Sequence, residues 1–153
     1  STEGAAVTCS VENTIYAIVG IRLKSTHFDT TVAILNESLQ IQSASDRIEW
    51  MLIFNPTVAG TFTYSDLTNS AVQTAIGATA NTVTGGTILA GGFAESAAAS
   101  GGGAGSVQSQ LKNALRLGSN IGGTPDEIVL CARPVGGSTA VDVEGAVFWK
   151  ELV

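Results

Sequence analysis

The chain has 153 residues, of which 44% are hydrophobic and only 13% are charged, and its formal net charge is −6. A single domain of this length buries roughly 70% of the surface that its unfolded chain exposes, so it needs neither metal nor disulfide to form a core. The acidic balance argues against a nucleic-acid-binding role, because phosphate binding needs clustered cations. The seven cationic residues are scattered along the chain: Arg22, Lys24, Arg47, Lys112, Arg116, Arg133 and Lys150.

The first half is predicted to be extended, because apolar and polar residues alternate along it. Residues 7–11 form a short candidate strand, and residues 15–23 form a long one. Residues 30–42 offer one long strand or two short ones. In residues 46–54, two faces separate cleanly, and the strand ends at Asn55-Pro56 because proline cannot donate to a ladder. Residues 61–64 are predicted to be a further short strand. The two faces of residues 46–54 carry Ile48, Trp50, Leu52 and Phe54 on one side and Arg47, Glu49, Met51 and Ile53 on the other.

The middle of the chain is less regular. Residues 69–76 fit a helix turn or a strand, whereas residues 82–83 and 87–90 look extended. Residues 94–106 are nearly all Ala, Gly and Ser, which bury little and cost much backbone entropy to order, so we expect a flexible, exposed loop there. Residues 107–117 suit a short helix about as well as a strand.

Two clear strands close the chain. Residues 127–133 are an apolar run that ends at Pro134, and residues 141–150 alternate between β-branched or aromatic residues and polar ones. Eight or nine strands with at most one short helix predict an all-β fold, namely an antiparallel two-sheet β-sandwich that is jelly-roll-like. We expect a single domain over residues 1–153, with no βα alternation and no internal repeat.

Neither a membrane span nor a leader sequence is expected. The longest uncharged stretch, residues 67–94, is rich in Thr, Gly, Asn and Ser and does not suit a transmembrane helix. No basic region followed by an apolar one opens the chain, so a signal peptide is absent or already removed. Ser1 fits removal of an initiator Met or cleavage from a larger protein.

The two cysteines, Cys9 and Cys131, lie in predicted strands among apolar or small neighbours. A free cysteine in such surroundings behaves as a small hydrophobe, so we expect two buried free thiols. The alternative is a disulfide between them, which needs Cα atoms within about 7 Å.

No catalytic, cofactor-binding or metal-binding residues are predicted. His27, the sole histidine, lies with Asp29 in a polar loop, and a hydrolase would need a nucleophile beside that base. The glycine-rich residues 101–106 lack the Gly-Lys-Ser/Thr ending of a phosphate-binding loop. Asp142 and Glu144 are expected to mark the solvent face of a strand and to protect a sheet edge.

The remaining polar and aromatic candidates are also given structural roles. Asp126 and Glu127 are adjacent acids without the surroundings of a calcium loop. Both tryptophans, Trp50 and Trp149, are expected to pack in the core. The two tyrosines, Tyr16 and Tyr64, are the better candidates for surface contacts.

Six short stretches together resemble a β-sandwich module of virion structural proteins from tailed bacteriophages. They span about residues 20–152, and no one stretch is diagnostic: residues 21–25, 52–57, 81–87, 117–119, 123–130 and 148–151. The resemblance implies a jelly-roll-like fold that acts by assembly or attachment, with no catalytic residues to carry over. Related modules often end larger fibre or tail proteins, whereas this chain starts directly at the module.

The charged fraction, about half the usual share, adds a hint about assembly. Either neighbouring subunits cover much of the surface, or the surface is neutral and rich in Ser and Thr. With the resemblance, this predicts a non-enzymatic virion protein, a homotrimer on the outside of a phage particle that contacts other virion proteins and, as a tail or fibre module, a host surface glycan. The alternatives are a head-decoration protein that clamps capsomers, a carbohydrate-binding module, and a glycan-degrading enzyme. Neither cofactors nor nucleic acid nor membrane partners are expected.

Overall fold

A computed structural model describes residues 6–42, 46–95 and 116–152. Within these ranges the backbone forms β-strands and no helix. The strands are β1 (Val7–Cys9), β2 (Tyr16–Leu23), β3 (Thr31–Ile41), β4 (Arg47–Phe54), β5 (Thr57–Val58), β6 (Ser65–Asp66), β7 (Val72–Ile76), β8 (Val83–Thr84), β9 (Thr87–Glu95), β10 (Glu127–Pro134) and β11 (Val141–Leu152).

The strands form two main sheets of unequal size. The large sheet has the order β6-β7-β2-β10-β4-β9, the small sheet has the order β1-β11-β3, and β5 and β8 form a separate pair. Every pairing is antiparallel. The predicted all-β, antiparallel sandwich is therefore confirmed.

The main core lies between the two sheets and follows from the alternation in the strands. From the small sheet, β11 directs Val141, Val143 and Val147 inward. From the large sheet, β4 contributes Trp50 and Leu52, which are fully buried. Cys9 lies in this core as a free thiol.

A second apolar cluster covers the opposite face of the large sheet. Met51 and Ile53 of β4 belong to it, since they alternate with the residues that enter the main core. Val83 of β8 and the partly buried Phe62 pack there as well. The middle strands of the large sheet are therefore buried on both faces, which explains the nearly continuous apolar run of β10. Cys131 is a buried free thiol in this cluster.

Several local predictions need correction. Of the two alternatives predicted for residues 30–42, the single long strand is confirmed: β3 spans Thr31–Ile41, and its pairing with β11 continues through a bulge rather than a turn. Residues 61–64 form no strand; Phe62 packs there as a side chain on the second cluster. Strand β9 extends through Ala94 and Glu95, where a loop was predicted. Predictions for residues 96–115, including the glycine-rich residues 101–106, lie outside the described residues.

The pairing brings several connections and strand ends together at one end of the sandwich, called the polar end below. Leu23 pairs with Val72, Phe54 with Ile128, and Thr31 with Leu152. The loop over residues 24–30, the Asn55 turn and the turn before β7 therefore lie near one another. This end holds most of the polar side chains discussed next.

Candidate functional site

The first feature of the polar end is a pocket of about 310 Å³ between the end of β11 and the loops before β3 and β7. Glu151 is its central group: the hydroxyl of Ser70 donates to it, as do the Ala71 amide at 3.0 Å and the Trp149 indole at 3.0 Å. These bonds tie the last strand to the turn before β7. The lining residues are Lys24, His27, Thr30, Asn69, Ser70, Ala71 and Glu151.

These contacts set the ionisation of Glu151. Partial burial opposes its charged form, but the hydrogen bonds from Ser70, Ala71 and Trp149, together with the positive charge of Lys24, hold its pKa below the ordinary value. The carboxylate is thus kept ionised as a hydrogen-bond acceptor. Lys24 itself donates to the Leu67 carbonyl oxygen at 2.9 Å.

His27 lines this pocket but does not contact a nucleophile there. Its Nδ1 lies 2.8 Å from the Thr26 hydroxyl, while the Ser70 hydroxyl donates to Glu151 instead. Asp29 is exposed in the same loop. The pocket therefore brings together serine, histidine and a carboxylate without the serine–histidine bond on which acyl-transfer chemistry depends.

A second pocket of about 330 Å³ lies at the same end, between the Asn55 turn and the segment that precedes β10. Asn55 connects its walls, since it donates to Asp126 at 2.9 Å and accepts from the Glu127 amide at 2.8 Å. Asn120 accepts from the Thr124 amide at 2.9 Å within the segment. The acidic pair Asp126 and Glu127 is thus part of a strand-end connection.

Tyr64 lies beside this pocket with its ring against Arg22. The guanidinium carbon is 4.2 Å from the ring centroid, and the Arg22 Nε also donates to Gln73 at 2.7 Å. Burial, together with the nearby carboxylate of Glu127, raises the pKa of Tyr64 above its ordinary value. The Tyr64 ring also meets the Phe62 ring edge-on, with centroids 5.5 Å apart. Most of its contacts are therefore made within the chain.

The other aromatic predictions have mixed outcomes. Tyr16 is 2% exposed, and its hydroxyl accepts from the Val11 amide at 3.1 Å, so a surface role for it is wrong. Trp50 is buried in the core as predicted. Trp149 packs against the core while its indole reaches Glu151 at the surface.

The acids of β11 lie as expected on one outward face but not at a sheet edge. Asp142 and Glu144 alternate with buried valines, and Asp142 accepts from the Thr8 hydroxyl at 2.6 Å. Strand β11 is the middle strand of its sheet, so the predicted edge-protecting role is wrong. No three His, Cys, Asp or Glu side chains in the described ranges are grouped so that they could hold a metal ion.

Strand β9 carries a group of exposed apolar side chains. This strand forms one edge of the large sheet and carries three exposed large apolar side chains: Ile88 at 62%, Leu89 at 36% and Phe93 at 71% exposure. Its only charged residue is Glu95, at its end, which pairs with Arg47 across 3.6 Å. We call the strand β9 with these side chains the neutral edge.

Sequence reasoning missed the neutral edge, although the lack of charge along this segment is visible in the sequence. The uncharged stretch of residues 67–94 contains nearly all of β9. Nothing in the stretch distinguishes a covered strand from an edge strand. The described residues contain no helix that is long and apolar enough to cross a membrane.

In comparisons with protein-family models, with curated proteins and with solved structures, this chain matches none. Its function therefore has to be inferred from its own residues.

Proposed function

We propose that this protein is a non-enzymatic structural module that works by assembling with copies of itself. The neutral edge is the observation that carries this proposal. Natural proteins protect edge strands with Lys, Pro or inward-pointing charges, and β9 contains none of these along Thr87–Ala94. Exposed apolar groups on an unprotected edge favour association with another chain over the monomeric state.

The charge distribution supports the same conclusion. A chain with a net charge of −6 repels other copies of itself over most approaches. A neutral apolar surface is where two such copies meet at the lowest electrostatic cost. The polar groups of the two pockets, by contrast, are bonded to one another in ways that hold strand ends together.

The resemblance to phage virion modules supports a proposal for where the protein is located. We place the protein on the outside of a tailed phage particle, as a trimeric tail or fibre module that contacts other virion proteins. Four of the six resembling stretches fall at the polar end or lead into it, on residues 21–25, 52–57, 123–130 and 148–151. An attachment role would use this end, because its loops converge there.

The mass of the whole chain in solution tests the proposal. Light scattering at micromolar concentration is expected to give a multiple of the 15.5 kDa chain mass, and three copies would agree with the proposed trimer. A monodisperse monomer over the whole range would contradict self-assembly.

A carbohydrate-binding role is the second candidate, and the two pockets of the polar end favour it. Their combined carboxylate, amide and hydroxyl groups suit the hydroxyls of a sugar. Binding of the isolated chain on a glycan array, lost in Asn120→Ala and kept in Glu144→Gln, would support this role. Retention of binding by Asn120→Ala would argue against the pocket.

A further inference from the structure

We infer that the second pocket of the polar end binds one neutral sugar residue, whose adjacent hydroxyls bond to Arg22, Asn120 and Asp126. This inference rests on the carbohydrate-binding role given above as the second candidate, and it names the pocket, the groups and the class of sugar. The cavity lies between the Asn55 turn and residues 120–127, and we call it the Arg22 pocket. Its volume of about 330 Å³ is within the range of small-molecule sites in proteins.

Arg22 is held in one position by its own neighbours. Its Nε donates to Gln73 at 2.7 Å, and Gln73 in turn donates to Asp66 at 2.8 Å. The guanidinium also lies over the Tyr64 ring, with its central carbon 4.2 Å from the ring centroid. Both Nη groups lack a hydrogen bond to the described residues, so this pocket is lined by fixed N–H donors that the fold does not use.

The loop on the other side of the pocket is also held in place. The Asn120 amide donates to the Thr124 carbonyl at 2.9 Å, and the Thr124 amide donates to the Asn120 side-chain oxygen at 2.9 Å. Ser119 and Pro125 form a bridge at the base of this loop. The side-chain NH₂ group of Asn120 has no partner within the described part of the chain, which adds a second positioned donor.

Asp126 supplies the matching acceptor. One of its carboxylate oxygens accepts from the Asn55 side-chain NH₂ group at 2.9 Å, and its own amide donates to the Gly118 carbonyl at 2.8 Å. The second carboxylate oxygen forms no hydrogen bond with the residues that the structure describes. Unused donors and an unused acceptor therefore line one cavity, and a hydroxyl is a ligand group that can both accept and donate.

The charges that line the pocket favour a neutral ligand. Arg22 carries one positive charge, whereas Asp126 and Glu127 carry two negative charges, which leaves a balance of −1. An acidic ligand would meet two carboxylates on a chain whose net charge is already −6. A cationic ligand would meet the Arg22 guanidinium, which does not lose its proton. Adjacent hydroxyls of a neutral sugar bond to both kinds of group, and no ligand charge has to be desolvated.

Two prolines complete the match with a sugar ring. Pro56 is buried, Pro125 is half-buried, and both line the cavity. Their rings carry no hydrogen-bond donor and suit the C–H groups of a pyranose. Small-molecule sites combine such apolar walls with a few positioned polar groups. Because Arg22 and the loop over residues 119–125 are already fixed, binding has little side-chain freedom to remove there.

NMR titration of the whole chain tests the site. The probes are the methyl glycosides of glucose, galactose and mannose, with glucuronate and galacturonate as their acidic counterparts. At least one glycoside is expected to bind with a dissociation constant of about 1 mM, as suits a ligand of this size, and to shift the Thr124 amide signal. The uronates should bind about fivefold more weakly or worse. The Trp149 indole signal, which reports on the first pocket, should stay in place.

Two variants remove donors without emptying the pocket. Arg22→Lys keeps the charge but loses the planar guanidinium, and Asn120→Asp keeps the oxygen that accepts from Thr124 but loses the NH₂ group. Each is expected to weaken binding of the glycoside about fivefold to tenfold. Arg116→Lys and Asn13→Asp make the same changes at exposed positions outside the pocket and should leave the affinity within about twofold. The amide spectrum of each variant shows whether it is folded.

The outcomes separate this inference from the carbohydrate-binding role. If neither the glycosides nor a glycan array shows binding, the role itself fails. If the array shows binding but no glycoside is bound, or if the uronates bind more tightly, a site for one neutral sugar residue is wrong. If a glycoside binds but shifts the Trp149 indole instead of the Thr124 amide, or if the control variants weaken it equally, the role stands and the Arg22 pocket is not its site.

Discussion

At the scale of single residues, Gly77 has the least room for change. A Cβ at this position would lie 1.8 Å from the Ala17 carbonyl oxygen, and the Gly77 amide already bonds to the Ile18 carbonyl. The obstacle is a main-chain carbonyl of the buried strand β2, which cannot rotate away as a flexible side chain could. The chain leaving β7 is therefore held against β2 by the absence of a side chain.

Gly77→Ala is expected to lower the free energy of unfolding by about 2–3 kcal/mol or more, since the backbone must shift to admit the methyl group. Urea denaturation measures this. Gly118→Ala is the matched control, because its Cβ would meet only the Asp126 side chain at 3.4 Å, and we expect a change within about 0.5 kcal/mol. Equal losses in both variants would contradict the steric explanation.

The two thiols make stability depend on alkaline pH. Burial first, and then the charge of Asp142, raise the pKa of Cys9 from 9.0 to about 12. Burial likewise raises the pKa of Cys131. Above pH 9 the unfolded chain releases these protons while the folded chain retains them, so the unfolded state is favoured increasingly as pH rises.

We therefore expect the free energy of unfolding to fall between pH 9 and about pH 12. The double variant Cys9→Ala, Cys131→Ala should show a shallower fall, whatever its stability at neutral pH. Urea titrations at several pH values measure both slopes. Identical slopes would mean that the thiols are not the groups responsible.

At the scale of elements, Glu151 connects the last strand to the turn before β7. Its partners Ser70 and Ala71 lie 81 and 80 positions away along the chain. With the Trp149 indole they give the carboxylate three donors. The lowered pKa means that this contribution is present above the ordinary value of 4.5 and is lost as pH falls through the folded-state pKa.

Glu151→Gln is expected to lower the free energy of unfolding at neutral pH by about 1 kcal/mol, the usual worth of such bonds. The loss should shrink in acid, where the wild-type carboxyl is itself protonated. Glu144→Gln on the same strand is the control, since the Glu144 side chain has no hydrogen bond or ion pair with the described residues that would be lost. A pH-independent difference would contradict the role of ionised Glu151.

The strands with regular alternation were predictable from sequence, and those without it were not. Four strands could be predicted because each one either alternates between apolar and polar residues or is continuously apolar: β2, β4, β10 and β11. The two-residue strands β5 and β6 carry no such pattern, since their position follows from pairing with distant strands. Phe62 and Tyr64 looked like a strand because an alternating aromatic pair also suits a segment that packs across a sheet.

The polar end shows a further limit of sequence reasoning. Lys24, Ser70 and Glu151 come from three separate parts of the chain, and only the pairing of the sheets brings them together. The position of β9 at an edge has the same origin, because strand order is a long-range property. The residues of the polar end and of β9 can be read from the sequence, but their spatial neighbours cannot.

At the scale of the whole molecule, an acidic body carries a neutral edge. The net charge of −6 acts between copies over about 10 Å at moderate ionic strength. In the proposed self-assembly, contact at the neutral edge would rely instead on apolar burial, which salt does not screen. The two contributions oppose each other, and salt weakens only the repulsive one.

Self-association is therefore expected to tighten as salt rises from about 0.02 M to about 0.5 M NaCl, because screening removes repulsion between like-charged copies. Sedimentation velocity at fixed protein concentration measures the shift. Phe93→Lys, which weakens the neutral edge but also lowers the net negative charge by one, should show a smaller salt response. Association that weakens with salt would instead indicate ion pairs across the interface and would place the contact on a charged surface away from β9.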